Sequence, residues 1–219
     1  LMLSSLGYPI ALHYHRSDQM ARHTASEIRK KGGLCELFPC DLSDEEQASS
    51  LIKNVHKRFS NLQVLINNAS LFEESRFLSS DLRLWNEHFA VNLRAPFILC
   101  SAFKAVCKKG HIINILDTHI VKNKTSQVAY LLAKKALAEL TKLAAVEFAP
   151  DIRVNGIAPG FILPPKGKSN EYLQTRSQKV PLRKRGSVSN ITRCVQFFLE
   201  NDYVTGQLIF CDGGEHLIS

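Results

Sequence analysis

The sequence predicts an α/β protein in which a doubly wound parallel sheet carries helices on both faces. Strand-like segments alternate with amphipathic helical segments along the chain, which is the pattern of such sheets. Several strands, including Leu62–Ile66 and His111–Leu116, are continuous apolar runs, as expected for strands buried on both faces. The 219 residues provide one sizeable core, and no repeat or low-complexity linker divides them, so we expect a single domain over residues 1–219.

In the first part of the chain we expect three strands separated by two helices. The segment Leu1–Leu6, which a glycine follows, has the pattern of a helix end. A helix is expected from Ser17 or Asp18 to about Lys31, and another from the capping box that begins at Ser43. The strands are expected at Tyr8–Tyr14, Leu34–Phe38 and Leu62–Ile66.

The rest of the chain continues the alternation. A long helical region is expected at Asp81–Cys107, with a break or kink near Pro96. Further helices are expected at Gln127–Phe148 and from Ser187 or Ser189, and further strands at His111–Leu116, Ile152–Asn155 and Gln207–Cys211. The basic segment from Phe161 to Gly186 is expected to be irregular, with a short helix near Asn170–Gln178.

Polar residues follow the strands at the edge where ligands bind in parallel sheets. In open α/β sheets that edge is formed by the carboxyl ends of the strands. The residues that follow the predicted strands are His15–Ser17, Asp41–Leu42, Asn67–Ser70, Asp117–Thr118 and Pro159–Gly160. We therefore expect these residues to line one crevice, with Tyr130 close enough to join them.

Tyr130 and Lys134 lie four residues apart in the predicted helix Gln127–Phe148, so they share one helix face. A free phenol has a pKa of about 10, and a nearby ammonium would lower it and make the phenol a better proton donor. The alternative is a solvated Tyr–Lys pair with no chemical role. The apolar positions Leu132, Ala136, Leu140, Leu143 and Phe148 lie close to helical spacing, so the same helix is expected to be amphipathic.

Composition excludes several classes of protein. The formal charge is +8, but lysines and arginines are scattered and accompany no nucleic-acid motif, so one basic pocket for a phosphorylated or acidic small molecule is favoured. No run of 18 apolar residues is present, so no membrane span is expected. The six cysteines form no C-x-x-C pair and the histidines no metal-binding spacing, which favours free thiols in a reducing, cytoplasmic environment without a metal.

Four segments together resemble the short-chain dehydrogenase/reductase family. Asn67-Asn68-Ala69 resembles the segment after its fourth strand, and Asn92 matches its helix asparagine. Tyr130 and Lys134 match its Y-x-x-x-K, and Arg153–Asn155 with Pro159–Gly160 matches the stretch over the nicotinamide. The resemblance implies a Rossmann-like fold, a nicotinamide cofactor and a catalytic set of Asn92, Tyr130 and Lys134. It also implies a homo-oligomer, a tetramer, formed through the helices Asp81–Cys107 and Tyr130–Phe148.

The opening strand and glycine-rich turn of that family have no counterpart in this sequence. In the family that strand lies at the centre of the sheet, between the strands here predicted at Tyr8–Tyr14 and Leu62–Ile66. Its absence would leave unpaired backbone groups in the core. We therefore expect about 20–30 residues, the length of a strand, turn and helix start, to precede Leu1. The alternative is a fragment that folds poorly and binds cofactor weakly.

Asp117 stands where the family usually has a serine. A serine hydroxyl can donate to an oxyanion during carbonyl reduction, whereas an ionised carboxylate cannot. A carboxylate suits a substrate that presents N–H groups or takes up a proton at a C=N bond. This exchange resembles the pteridine reductase branch, including bacterial dihydromonapterin reductases, as do Asn68–Phe72 and His13–Ser17. The alternatives are a loop-capping role for Asp117 and a core position for Phe72.

The end of the first predicted strand favours NADPH. NAD-binding sheets tend to place an acidic residue there, whereas this chain has Arg16 and Ser17, which with His13 could hold a 2′-phosphate. The alternative is a surface arginine. The resemblance implies that the cofactor contacts His13, Tyr14, His15, Arg16, Ser17, Asp41, Leu42, Asn68, Ala69, Ser70, Tyr130, Lys134, Pro159 and Gly160.

These features predict hydride transfer from NADPH to a C=N bond of a pterin. Tyr130 would supply the proton, Lys134 would lower its pKa, and Asn92 would support Lys134 through water. Ser70, Phe72, Asp117 and Tyr130 would contact the substrate. Two alternatives remain open: an NADPH-dependent carbonyl reductase, such as a 3-oxoacyl thioester reductase that uses the Thr118 hydroxyl, and a non-catalytic dinucleotide-binding scaffold.

Overall fold

The computed structural model describes residues 1–78, 81–164 and 170–218, and over these ranges helices and parallel strands alternate as predicted. The helices are α1 Met2–Ser5, α2 Asp18–Lys30, α3 Glu45–Arg58, α4 Leu82–Phe89, α5 Ala95–Val106, α6 Val128–Glu147, α7 Asn170–Ser177 and α8 Val188–Glu200. The strands are β1 Ile10–Tyr14, β2 Cys35–Pro39, β3 Val64–Asn67, β4 Gly110–Ile115, β5 Ile152–Pro159 and β6 Leu208–Cys211. The predicted α/β class is confirmed, and part of the predicted irregular segment, residues 165–169, lies outside the described residues.

The strands form two parallel sheets instead of one. β3, β4, β5 and β6 pair in that order, and β1 pairs only with β2 among the described strands. β1 and β3 line opposite sides of a cavity of about 1380 Å³, whose wall includes Leu12 and Ile66. Among the described residues, no further strand pairs with the second edge of β1 or of β3.

The main core lies between β4, β5 and the helices α3 and α5. Ile112, Val154 and Phe103 are fully buried there. By length and composition alone, the helical stretch Leu82–Val106 could cross a membrane. Its residues Leu99 and Phe103 instead pack into this core, which is the usual position of an apolar helix in a folded domain.

The expected break near Pro96 is present, whereas one strand boundary was wrong. The helical region covers Leu82–Val106 with a π-helical turn at Ala90–Arg94, and Pro96 occupies the first turn of α5, where its missing N–H has no cost. β5 does not end at Asn155 but continues to Pro159. Gly156 allows this extension because it has no side chain. A Cβ at this position would lie 2.7 Å from side-chain atoms of Leu116 and Leu208 and would clash with them.

The predicted apolar positions of α6 are only partly buried. Phe148 is buried and Leu140 is partly buried, but Leu132 and Leu143 are exposed. The residues that pack against the sheet include Leu137, Ala138 and Thr141. Small residues allow α6 to approach the strands closely. A series of hydrogen bonds between buried polar side chains fixes the position of the helix. Asn67 Nδ2 donates to Asn114 Oδ1 at 2.8 Å, and Asn114 Nδ2 donates to Thr141 Oγ1 at 2.9 Å. This anchoring brings the first turns of α6 to the carboxyl end of β4.

The core contacts of α5 give a direct stability test. Phe103 is fully buried, whereas Phe77, which precedes α4, is 81% exposed. We expect Phe103→Ala to lower the free energy of unfolding by about 3–5 kcal/mol, because it removes buried apolar area and leaves a cavity. Phe77→Ala is the matched control, with an expected change of about 0.5 kcal/mol or less. Urea unfolding followed by circular dichroism measures both, and equal losses would contradict the assigned core.

Candidate active site

Segments at the ends of β1, β2 and β3 line one cavity, as predicted, whereas Asp117–Thr118 and Pro159–Gly160, which were expected in the same crevice, are not part of its lining. The lining includes residues 13–17, 41–43 and 67–71, so the predicted cofactor residues of these three strand ends lie together. Asp117 and Tyr130 do not line this cavity. They lie beyond Ser70, which connects the two parts of the site: it lines the cavity, and its side chain acts to lower the pKa of Tyr130.

Asp117 and Tyr130 form the centre of the second part. The Tyr130 hydroxyl, in the first turn of α6, donates to Asp117 Oδ2 at 2.8 Å. The other oxygen, Asp117 Oδ1, accepts the backbone N–H of His119 at 2.7 Å, which caps the short 3₁₀ turn Thr118–Val121. The loop-capping interpretation of Asp117 and the functional one are therefore compatible, because each uses a different oxygen.

The expected effect of Lys134 on Tyr130 was wrong. Burial, followed by the charge and hydrogen bond of Asp117, raises the pKa of Tyr130 above that of a free phenol. Lys134 Nζ lies 6.0 Å from the centre of the Tyr130 ring and donates to the Ile115 carbonyl at 2.7 Å. Burial also lowers the pKa of Lys134 to about 8, so its amine is still mostly charged at neutral pH. Tyr130 is therefore a protonated phenol at neutral pH, able to donate a proton.

The contacts of Asn92 differ from those expected. This fully buried side chain lies in the π-helical turn, where its Oδ1 accepts from Leu71 N and from Ser70 Oγ, each at 2.9 Å. Its Nδ2 donates to the Leu71 carbonyl at 2.9 Å. The described hydrogen bonds of Asn92 are thus made to the Ser70–Leu71 loop and not toward Lys134. Asn92 therefore positions the loop that approaches Tyr130.

Phe72 is not a core residue. Its side chain is 49% exposed, and its ring meets the Tyr130 ring edge to face with 4.8 Å between centroids. Aromatic rings attract each other in this geometry, and an exposed ring face beside a polar centre can stack on a flat heterocycle. The arrangement agrees with the predicted substrate contact.

The segment after β1 divides into structural and exposed residues. His13 Nε2 lies 2.9 Å from the Cys40 carbonyl, which ties the ends of β1 and β2 together. Asp18 raises the pKa of Tyr14, and His15 Nε2 lies 3.6 Å from Asp41. Arg16 and Ser17 remain exposed at the mouth of the cavity. Of this segment, Arg16 and Ser17 are the residues best placed for an anionic ligand.

Asp41, Leu42, Pro159 and Gly160 occupy the ends of their strands as predicted. Asp41 accepts from the backbone and hydroxyl of Ser43 at 2.9 and 2.7 Å, which lowers its pKa. At Gly160 the backbone N–H donates to the Cys211 carbonyl at 3.1 Å, and a Cβ would lie 2.7 Å from Asp212. Only glycine allows this approach.

Sequence reasoning missed His119 and Glu215. His119 Nδ1 lies 2.9 Å from Asp117 Oδ1, and its Nε2 lies 3.0 Å from Glu215 Oε1. Glu215 belongs to a 3₁₀ turn near the end of the chain, which follows two glycines with positive φ, Gly213 and Gly214. No spacing rule connects residues so distant in sequence, so only the fold reveals this contact.

The described residues fit two parts of a nicotinamide dinucleotide. Arg16 and Ser17 suit a phosphate on the adenosine ribose, and the Asp41 carboxylate lies beside the same cavity. The buried Lys134 lies beside Tyr130, where a nicotinamide ribose would be held. Within the described residues, no glycine-rich turn lines the cavity, so this sequence shows no cradle for the pyrophosphate.

Comparison with known proteins identifies the class of enzyme. A family model described as enoyl-(acyl carrier protein) reductase matches residues 2–216. An uncharacterized oxidoreductase, YohF, of Escherichia coli (strain K12) is 31% identical, with 98% of this chain and 88% of the relative covered. The 3-oxoacyl-[acyl-carrier-protein] reductase FabG of Staphylococcus aureus (strain Mu50) is 29% identical, with 99% and 92% covered.

A solved structure is also similar over nearly the whole chain. FolM alternative dihydrofolate reductase 1 from Brucella canis, complexed with NADP, superposes with a TM-score of 0.92 at 36% identity and covers 99% of this chain and 87% of its own. Together with the family match, these similarities show that the chain belongs to the short-chain dehydrogenase/reductase family. This is an NAD(P)-dependent family of oxidoreductases.

Proposed function

We propose that this protein is an NADPH-dependent reductase that transfers a hydride to a C=N bond of a dihydropterin or a related flat heterocycle. The observation that carries the proposal is the hydrogen bond between Asp117 and Tyr130, with the exposed ring of Phe72 beside it. A carboxylate accepts N–H groups and repels an oxyanion, so it favours a nitrogen heterocycle over a simple ketone.

Each side chain of the site has a defined task in this proposal. NADPH, when bound, supplies the hydride that forms the new C–H bond at the C=N carbon. The Tyr130 hydroxyl donates the proton to the nitrogen, and Asp117 accepts an N–H of the ring and orients it. Lys134 holds the nicotinamide ribose, Arg16 and Ser17 hold the 2′-phosphate, and Phe72 covers the substrate ring.

The FolM neighbour supports pterin reduction, because that protein is an alternative dihydrofolate reductase complexed with NADP. The FabG relatives support the carbonyl-reductase alternative. In that alternative Thr118 would replace the missing serine hydroxyl. The Thr118 side chain is buried, however, and its hydroxyl donates to Asp212 Oδ2. Because the Thr118 hydroxyl already donates its proton to Asp212, it is not available to a ketone oxygen, and this geometry favours a pterin substrate over a ketone.

A non-catalytic scaffold is the third candidate. A buried carboxylate and phenol require mutual hydrogen bonds and bring little stability, because desolvation offsets their attraction. Asp117, Tyr130 and Lys134 nevertheless lie together in the site, largely buried. Such a cluster of perturbed groups beside a cavity is more typical of catalysis than of a scaffold.

Self-association is part of the proposal. The face of α6 that carries Leu132, Leu143 and Val146 is exposed, and Phe97 of α5 is exposed as well. These residues lie on the two helices that were predicted to join protomers, and exposed apolar faces of this kind are common at protein interfaces. We propose a homo-tetramer formed through α5 and α6. The six free thiols, four of them buried, agree with a reducing, cytoplasmic location.

Replacement of Arg16 tests the cofactor. We expect wild-type kcat/KM to be much higher with NADPH than with NADH, and Arg16→Ala to lower the NADPH value about 10- to 100-fold with little effect on NADH. A charge-assisted hydrogen bond of about 1.5–3 kcal/mol gives this range. Arg22→Ala is the matched control, because Arg22 is exposed on α2 and pairs with Asp18 at 2.7 Å. Equal use of both cofactors by the wild type would remove the claim.

A substrate panel tests the reaction itself. NADPH oxidation is followed with dihydropterins, dihydrofolate, a 3-oxoacyl thioester and simple ketones at equal concentrations. We expect the pterins to give the highest kcat/KM. A preference for the thioester would select the carbonyl-reductase alternative, and no turnover of any member would favour the scaffold.

A further inference from the structure

His119 lies between two buried carboxylates at the rear of the site. Its Nδ1 is 2.9 Å from Asp117 Oδ1, and its Nε2 is 3.0 Å from Glu215 Oε1. The side chains of Asp117, His119 and Glu215 are 19%, 13% and 6% exposed, respectively. The second oxygen of Glu215 is buried and has no hydrogen-bond partner among the described residues. The imidazole of His119 thus contacts both carboxylates, one through each ring nitrogen.

The Nε2 atom of His119 has two neighbours: one requires it to donate a hydrogen bond, and the other requires it to accept one. Glu215 Oε1 can only accept, whereas Lys124 Nζ lies 2.6 Å from the same nitrogen. If Nε2 carries a proton, it donates to Glu215 and Lys124 is neutral. If Lys124 is charged, it donates to Nε2. When Lys124 donates to Nε2, the proton of a neutral imidazole must lie on Nδ1. When Nε2 donates to Glu215, Nδ1 carries a proton only if the imidazole is charged. In these states the protonated Nδ1 lies 2.9 Å from Asp117 Oδ1, an ion-pair contact.

The direction of the pKa shifts agrees with this arrangement. Burial opposes a charge on His119, but the contacts with Asp117 and Glu215 outweigh it and raise the His119 pKa above its ordinary value. Burial would likewise raise the pKa of Asp117, yet its hydrogen bonds with His119 hold it below the usual range. Burial, with the charge of Arg176, lowers the pKa of Lys124.

We infer that His119 is a positioning residue, which fixes Asp117 as an ionised carboxylate with Oδ2 directed at Tyr130 and the substrate, and which is itself held by Glu215 and Lys124. Asp117 has two oxygens, and His119 occupies Oδ1 through both its backbone N–H and its ring. Rotation of the carboxylate would break both contacts. The inference rests on the proposed function, because it assigns a substrate-facing role to Asp117.

Three variants separate positioning from a general structural effect. His119→Ala removes the ring donor, whereas His119→Asn places an amide N–H near the position of Nδ1. We expect kcat/KM for a dihydropterin to fall about 10- to 100-fold in His119→Ala, from the loss of a charge-assisted hydrogen bond, and to return to within about threefold of wild type in His119→Asn. His23→Ala is the control, since His23 is an exposed residue of α2.

The pH dependence of kcat/KM distinguishes the two roles, because it would not shift if His119 only stabilised the fold. Activity requires ionised Asp117, so it is lost as the pH falls through the Asp117 pKa. Burial raises the Asp117 pKa, and His119 lowers it. Because His119→Ala removes the lowering contact of the ring, we expect the Asp117 pKa to rise and the acid limb of the pH profile to move toward neutral pH. The charged groups that face His119 are Asp117, Glu215 and Lys124, with Arg176 and Lys122 acting on Lys124. Glu215→Gln should lower the His119 pKa and leave the Asp117 contact in place.

A substrate-free measurement separates this inference from the proposed function. The carboxyl ¹³C shift of Asp117 is titrated by NMR in wild type, His119→Ala and His119→Asn, with circular dichroism to confirm that each variant is folded. An Asp117 pKa that rises in His119→Ala and is restored in His119→Asn supports the positioning role, even if no pterin is reduced. An unchanged Asp117 titration in folded His119→Ala would overturn it, whatever the substrate.

Discussion

Tyr130→Phe should abolish turnover while NADPH binding stays nearly intact. The change removes one oxygen atom, and with it the proton donor to the substrate nitrogen, so we expect kcat to fall about 10²- to 10⁴-fold, the range of general acid catalysis. The ring remains in place against Phe72, so the shape of the site is retained. Single-turnover NADPH oxidation measures the chemical step, and fluorescence titration measures cofactor affinity.

The control for this result is Tyr203→Phe, because Tyr203 is almost fully exposed and lies far along the chain from the site. That variant should retain wild-type kcat. The hydroxyl of Tyr130 also donates to Asp117, so its loss frees one carboxylate oxygen. Full activity of Tyr130→Phe would rule out the assigned acid and leave the proton to another group.

Asp117→Ser should change which substrate the enzyme prefers. The serine lacks the carboxylate that accepts an N–H from a pterin, and it gains a hydroxyl that can donate to a ketone oxygen. We expect kcat/KM for a dihydropterin to fall about 10²- to 10³-fold, the effect of removing one such group, and kcat/KM for a simple ketone to rise. The ratio of the two values on one enzyme preparation is the measurement.

Asp117→Asn separates charge from shape in the same experiment. The amide keeps an acceptor oxygen and nearly the same volume but loses the negative charge. We expect it to lose pterin turnover without gaining ketone turnover, because its carbonyl oxygen and its NH₂ group cannot both take the required positions. If Asp117→Ser and the wild type share one substrate preference, Asp117 does not determine specificity.

The alternation of strands and helices could be predicted because it depends on local patterns. Largely apolar runs located β3 and β4. The residues that follow β3 line the cavity as expected, whereas Asp117 and Thr118, which follow β4, are not part of its lining. The adjacency of Asp117 and Tyr130 follows from the same logic, since one follows a strand and the other begins the next helix.

Other features depend on tertiary packing and were not predictable in this way. The stripe of large apolar residues on α6 suggested the buried face, but close packing on the sheet selected the small residues Ala138 and Thr141 instead. Tyr130 was expected to have a lowered pKa because Lys134 is near in sequence, whereas burial and Asp117 dominate in the fold. The His119–Glu215 contact joins the middle of the chain to its end.

The central claim is that a hydride reaches the carbon of a C=N bond while Tyr130 and Asp117 manage the proton at nitrogen. The most direct test uses NADPH that carries deuterium at the transferable position, with a dihydropterin as acceptor and NMR of the product. We predict one deuterium on the ring carbon of the former C=N bond, and no such product from Tyr130→Phe. Oxidation of the labelled cofactor without deuterium in the pterin, or transfer only to a ketone carbon, would contradict the account.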